Sequence, residues 1–228
     1  MSDWDYGGAY RKHDMEGEIV LPNQSVVQVC DWIEHLPVFM LRADTLFIDP
    51  PWNIGNVNTF YTKADMEHRK LNFLEFTNRL LHRIDEIAPS HLFIEMGKEY
   101  LAEYLAECKR RYKHVTFYNS TYYKKRENKC YVIHATKDSK RRRYKELEDL
   151  DEEQIIAWLC QHHEYNVIGD LCMGTGLVGK YAYLQGRSFV GTELNKKRLA
   201  LLVDFIAQNP TLPHANANLA PPAPTSSR

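Results

Sequence analysis

The stretch from Val167 to Glu193 constrains the fold of this chain more than any other. An apolar run, Val167-Ile168, breaks at Gly169-Asp170 into a loop holding Gly174-Thr175-Gly176. A helix-forming segment follows, and a second apolar run, Phe189-Val190, closes on Gly191-Thr192-Glu193. Strand, glycine loop, helix and strand in that order make a unit whose two strands lie parallel, so a mostly parallel sheet covered by helices is expected. The glycines let the backbone approach a ligand closely. A carboxylate at the end of the second strand, 19 positions beyond Gly174, can accept both hydroxyls of a ribose. The ligand expected at this end of the sheet therefore carries a nucleoside, and no P-loop lysine accompanies the glycines.

A second strand end carries different chemistry. The apolar run Thr45-Leu46-Phe47-Ile48 stops at Asp49-Pro50-Pro51-Trp52. In open α/β sheets ligands bind at the C-terminal edge, which is where this carboxylate, its two prolines and the indole would sit. The prolines fix φ and donate no hydrogen bond, leaving their carbonyls free to accept one from a planar amine. The indole offers a face on which a base can stack. Asn53 and Asn56 are candidates for the rim of the same pocket. Chemistry on an amino group is the expectation.

Strand and helix signals alternate along the rest of the chain. Val26, Val27, Val29 and Cys30 begin a short amphipathic segment that ends before Pro37. Leu71, Leu74, Leu81, Ile84 and Ile87 recur at helical spacing until Pro89, and His91 to Met96 reads as a strand with Glu95 at its end. Glu95 is expected to cap the next helix, which Tyr100, Leu101, Tyr104, Leu105 and Cys108 mark, with contact to substrate as the alternative. His114 to Tyr118 and Lys129 to Ala135 form an expected antiparallel hairpin. The acidic run Glu146 to Glu153 suits the N-terminus of a helix holding Ile155, Ile156 and Leu159. Residues 1–24 are expected as an arm, possible as a lid, before a single domain over 25–208. From Asn209 onward, Pro, Ala, Asn and Ser predict a disordered tail, 209–228.

Composition bounds the class. A chain of 228 residues, 44% hydrophobic and 26% charged, has the material for one α/β core. No apolar run reaches the ~20 residues of a membrane span, and Met1-Ser2-Asp3-Trp4 lacks the charged and apolar regions of a signal peptide, so a cytoplasmic protein is expected. Five widely spaced cysteines without a CxxC pair predict reduced thiols, mostly in the core. Ten histidines include no HExxH or comparable cluster, so no metal is expected. His134 and Cys130 read as packing or edge residues.

The net charge of −1 hides an asymmetry. Between Lys109 and Lys145 lie fourteen of the 29 Lys and Arg residues and only two acids, a local excess of +12. Tyr112, Phe117, Tyr118, Tyr122, Tyr123, Tyr131 and Tyr144 interleave with them. Cations that follow a phosphate backbone and rings that stack on bases make this segment the expected nucleic-acid face. Lys124, Lys125, Arg126, Lys129, Arg141, Arg142 and Arg143 are its candidate contacts.

With both strand ends placed, the chain resembles a DNA amino-methyltransferase of the permuted β-type over roughly residues 25 to 207. In that family the D/S-P-P-Y/F/W motif precedes the cofactor motif D-P-F-x-G-x-G, as Asp49-Pro50-Pro51-Trp52 here precedes Asp170-Leu171-Cys172-Met173-Gly174-Thr175-Gly176. Leu171-Cys172 replaces the family's Pro-Phe, and its His-x-x-x-Lys-Pro segment is not evident. The resemblance implies a Rossmann-like methyltransferase fold and S-adenosylmethionine as cofactor. It implies Asp49, Pro50, Pro51 and Trp52 as catalytic residues, and Asp170, Cys172, Gly174, Gly176, Glu193 and Asp49 as cofactor contacts. DNA is the implied partner, with adenine N6 preferred because Asp-Pro-Pro-Trp is similar to the adenine enzymes. Cytosine N4 in DNA, adenosine in RNA, a non-catalytic partner subunit and a small-molecule or protein acceptor are the alternatives. A bacterial or phage-encoded protein is implied, and a homodimer is one way so small an enzyme could read DNA.

Overall fold

The computed structural model describes residues 5–67, 71–122, 127–140 and 142–210. Its strands are β1 (Glu18–Val20), β2 (Val26–Val29), β3 (Thr45–Ile48), β4 (His91–Met96), β5 (His114–Thr121), β6 (Lys129–Thr136), β7 (Leu150–Asp151), β8 (Val167–Asp170) and β9 (Ser188–Glu193). Its α-helices are α1 (Ile54–Lys63), α2 (Phe73–Ile87), α3 (Leu101–Arg111), α4 (Glu152–His162), α5 (Leu177–Leu184) and α6 (Lys196–Gln208). The strands form one sheet in the order β1-β2-β9-β8-β3-β4-β6-β5-β7. β2, β9, β8, β3 and β4 run parallel to one another, whereas β6 lies antiparallel between β4 and β5.

Alternation along the central strands sends side chains to two separate cores. Leu46 and Ile48 of β3 and Leu92, Ile94 and Met96 of β4 pack with Phe76, Leu80 and Ile84 of α2 on one face. Phe47 and Phe93 point the other way, into a core shared with Ile155, Leu159, Val178 and Leu202 of α4, α5 and α6. β3 and β4 are buried at every position, as strands covered on both faces must be. Capping boxes start α2, from Asn72 and Glu75, and α4, from Asp151 and Gln154.

The strands and helices expected from hydrophobic pattern fall where they were placed, and the sequence around them resolves further. The segment from Val26 is a strand, and α1 forms where no apolar period announces it. The described part of the N-terminal arm is docked: a 3-10 turn, Tyr6–Arg11, lies against α6, where His13 and Lys12 meet Asp204 at 3.0 and 3.4 Å. β1, within the same arm, pairs with β2 as the sheet's edge. All but two residues of the expected disordered tail lie outside the described residues. Among those described, no helix is long and apolar enough to cross a membrane.

Candidate active site

Because five strands run parallel, Cys30, Asp49, Met96, Asp170 and Glu193 all arrive at one edge of the sheet. β5 runs in the same sense as β4, so the end of β5 and the start of β6 reach this edge too, bringing Tyr122 and Cys130 with them. A cavity of about 440 Å³ opens there. Its walls include Asp49, Pro51, Cys172 and Glu193 from the two motifs, and Asn56 and Tyr122 beside them. The sequence assigned no site role to several other walls: the loop Cys30 to Ile33 after β2, most of α1, and Arg198 of α6.

Asp49 is half-buried. Its Oδ1 accepts a hydrogen bond from the Trp52 indole Nε1–H at 2.9 Å, so the indole holds the carboxylate. One face of that indole lies against Gly97, where an added Cβ would come within 2.9 Å of Trp52 Cε3. Tyr122 packs against the indole with centroids 5.0 Å apart at 55°. Pro50 is buried. The ring expected to receive a base is thus engaged with its own aspartate, and Tyr122 adds an aromatic surface at the cavity.

The glycine loop is tightened by Glu193. Its Oε2 accepts from the Gly174 backbone N–H at 2.6 Å and its Oε1 from the Asn195 N–H at 2.9 Å. The Leu194 N–H also bonds this carboxylate, so of its roughly four lone-pair directions about one remains for a hydroxyl. Asp170, buried, spends Oδ1 on the Cys172 N–H at 2.8 Å and shapes the loop from within, while Cys172 itself lines the cavity. Gly176 has φ +86°, and a Cβ there would sit 2.6 Å from Leu202 Cβ, so only glycine lets the loop and α6 approach this closely. Arg198 covers Gly174 from the same helix.

Two carboxylates join Asp49. Glu95 closes β4 and Glu152 opens α4, and one oxygen from each of the three lies within 4.8 Å of the others. Glu95 is fully buried; its Oε1 accepts from the Cys130 thiol at 2.9 Å and its Oε2 has no partner. It does not cap α3, which begins at Leu101 after Tyr100 with no side-chain cap. Burial, then the charge of Glu152, pushes the Asp49 carboxyl up to about 8. Burial pushes Glu152 up to about 7 against the pull of Arg198. Glu95 is raised well above the carboxylate range by burial and by Asp49. Burial also raises Asp170 and Glu193. Glu152 carried no motif signal beyond its acidic run, because what matters is the strand end it faces.

The basic segment is less bare in space than in sequence. Arg142 pairs with Asp138 at 3.0 Å and Glu164 at 3.8 Å, and Arg143 with Glu148 at 3.2 Å. Arg111 pairs with Asp85 at 2.9 Å and also with Glu107. Tyr112 and Tyr118, interleaved with the cations in sequence, are core residues, whereas Phe117 is exposed. Lys129 is exposed at the start of β6. Lys124, Lys125, Arg126 and Arg141 lie outside the described residues. Asn53 caps α1 by accepting from the Asn56 N–H at 2.9 Å. His134 and Cys130 are buried inside the sheet and not at its edge, since β6 has a neighbour on both sides.

A two-faced sheet of this order, with carboxylates at the ends of four adjacent strands, is the Rossmann-like fold of methyltransferases. Two solved structures share it: M1.HpyAVI, with a TM-score of 0.55 and 15% identity over 79% of this chain and 97% of that one, and TTHA0409 of Thermus thermophilus. The latter, complexed with S-adenosyl-L-methionine, matches with a TM-score of 0.55 and 14% identity over 82% of this chain and 94% of that one. A complex of M1.HpyAVI with SAM matches with a TM-score of 0.55 and 16% identity over 78% of this chain and 98% of that one. No family model matches the sequence, and no curated protein does.

Proposed function

We propose that this protein transfers a methyl group from S-adenosylmethionine to the exocyclic amine of a base in DNA, with adenine N6 as the acceptor. One observation carries the reading: Asp49 and Pro51 line the same cavity as Cys172 and Glu193, so an amine-binding strand end and a nucleoside-binding strand end face one space. Two structural neighbours were solved with this cofactor.

The residues present fit the cofactor's chemistry. Glu193 retains an acceptor direction for a ribose hydroxyl, and Arg198, at the cavity wall over Gly174, suits a carboxylate. Leu171 and Leu194 supply apolar wall. When bound, S-adenosylmethionine supplies an electrophilic methyl group on a positively charged sulfur.

The acceptor side rests on this chain's own groups. An exocyclic amine is a poor nucleophile because its lone pair is delocalised into the base. N–H bonds donated to the Asp49 carboxylate and the Pro50 carbonyl return electron density to nitrogen, and the ionised Asp49 stabilises the positive charge that develops there. Fixing amine and donor in one cavity provides the rest by proximity. A base in a duplex must leave the stack to reach Asp49, and Tyr122, backed by Trp52, provides the aromatic wall that receives it. Lys129, with Lys124, Lys125 and Arg126 in the hairpin connection that follows Tyr122 in sequence, is the proposed phosphate contact.

Transfer of a labelled methyl group to DNA, followed by nucleoside analysis, tests the reading. N6-methyladenine is expected, with the rate lowered about 10²- to 10³-fold in Asp49→Ala and cofactor affinity little changed. Label in N4-methylcytosine overturns the adenine assignment, label in RNA alone overturns DNA, and cofactor binding without transfer to either leaves a partner subunit.

A further inference from the structure

Asp49, at the cavity wall, is joined from behind by two carboxylates that do not line the cavity and that the proposed reaction does not otherwise use. Glu95 and Glu152 come from β4 and α4, and their oxygens and those of Asp49 converge to within 4.8 Å. Oε2 of Glu95 is buried without a hydrogen-bond partner. A fully buried carboxylate oxygen left unsatisfied is costly when ionised, and three carboxylates this close cannot all ionise without compensation.

The surroundings limit that compensation. Arg198 of α6 acts on Asp49 and Glu152. Against it stand Asp170 of β8 and Glu193 of β9, and Asp151 and Glu153 flanking Glu152. Cys130 of β6 and Trp52 contribute only neutral donors, to Glu95 and Asp49 respectively. Cys172 lies among the same acids. Among the described residues one cation, Arg198, thus faces an excess of carboxylates, and bound protons can supply positive charge.

We propose that Asp49, Glu95 and Glu152 hold their protons as one unit, in which Glu95 and Glu152 are positioning residues that set when Asp49 is free to accept a hydrogen bond from the acceptor amine and that take up the proton the amine releases. The second part rests on the methyl-transfer reading. As the N–CH₃ bond forms, the bonding pair of the S–CH₃ bond stays on the donor's sulfur, and nitrogen acquires a positive charge. Loss of one N–H proton to Asp49 restores a neutral amine. The proton passes to Glu152 or Glu95, whichever is ionised, and from there to water, so Asp49 is returned as a carboxylate for the next turnover. One water making two hydrogen bonds of ~2.8 Å spans a separation of this size. An isolated aspartate would have to release the proton from a half-enclosed cavity before each new turnover.

The Trp52 indole provides a readout independent of activity, because its N–H donates to Asp49. In the full-length ¹⁵N-labelled protein, the indole N–H resonance is assigned by its loss in Trp52→Phe and followed from about pH 5 to about pH 9. The expected result is a transition above the ordinary carboxyl range that is absent in Asp49→Asn, falls by about one pH unit in Glu152→Gln, which removes the neighbouring charge that raises Asp49, and moves by less in Glu95→Gln, whose carboxyl still holds its proton at that pH. A transition at the same pH in all these proteins overturns the proposal, as does its abolition in the wild type by stoichiometric Mn²⁺, which would make the cluster a cation site. Single-turnover methyl transfer provides the second arm: the acid limb of its pH profile moves down with the Trp52 transition. If the resonance shifts as expected but no methyl is transferred, the methyl-transfer reading fails and the shared protonation stands. If methyl is transferred with the limb unmoved in both variants, the cluster fails and the reaction stands.

Discussion

Trp52 shows how one side chain can serve two neighbours at once. Its N–H fixes Asp49 at 2.9 Å, and its ring is held between Gly97 and Tyr122. The hydrogen bond opposes burial, which drives the Asp49 carboxyl upward. Trp52→Phe keeps the ring and loses the donor. Ionised Asp49 is the form that accepts the amine's N–H, so the methyl-transfer rate rises with pH through the titration of Asp49, near 8 in the native protein. In Trp52→Phe that rise is expected at still higher pH, with the plateau rate less affected than the rate at neutral pH; a pH profile of single-turnover rates checks it. An unmoved profile would mean that the indole acts through stacking alone.

At the scale of the element, the start of α4 decides where Glu152 points. Asp151 ends β7 and caps α4, accepting from the Gln154 N–H at 3.0 Å while the Gln154 side chain accepts from the Asp151 N–H at 3.1 Å. Asp151→Ala is expected to cost about 1 kcal/mol of stability, measured by denaturant unfolding. It is also expected to loosen Glu152, whereas Asp151→Asn keeps the cap and most of that stability. The hairpin is the other element whose role depends on context. Its strands carry a single cation, Lys129, and the cations that flank it in sequence are partly neutralised: acids from α2, α3 and the chain after β6 pair with Arg111, Arg142 and Arg143. Charge counted along a chain overstates a basic face whenever the partners come from elsewhere in the fold.

For the whole molecule, the buried acids and histidines impose opposite pH dependences. Asp49 and Glu152 have folded values near 8 and 7, raised by burial. The native state therefore binds protons that the unfolded chain has released, and stability falls as pH rises through this range. His134 and His163, depressed by burial to about 3, favour the native state above the unfolded histidine value and lose that contribution only on acidification. Above about pH 7.5 these two histidines are almost wholly neutral in both states, so from there to about pH 8 the raised acids dominate their joint slope. The melting temperature of the ligand-free protein is expected to fall across this window. Glu95→Gln is expected to flatten the fall and to raise the melting temperature at its alkaline end, as is common where a site keeps like charges together for function. A steeper fall in the variant would show that Glu95 stabilises its surroundings when ionised.

Much of this was legible in the chain. Apolar runs ending in Asp49, Glu95, Asp170 and Glu193 marked the strands, because a strand buried on both faces must be apolar until it reaches the edge. The glycines of the 174–176 loop marked a close approach, because backbone conformation and contact distance are local demands on residue type. The sequence did not reveal α1, whose Ile54–Lys63 run lacks an apolar period, nor the parts played by Arg198, Tyr122 and Glu152. Each of these acts on a residue distant in the chain, and no local pattern encodes which strand end it will face. The sequence by itself determined a parallel sheet with two functional strand ends, since hydrophobic period, proline and glycine act within a few residues. Only the tertiary structure decided that the two ends share one cavity, that three carboxylates meet beside it, and that Arg111, Arg142 and Arg143 of the basic segment are already paired. Burial and Coulomb interactions depend on separation in space, which the strand order sets.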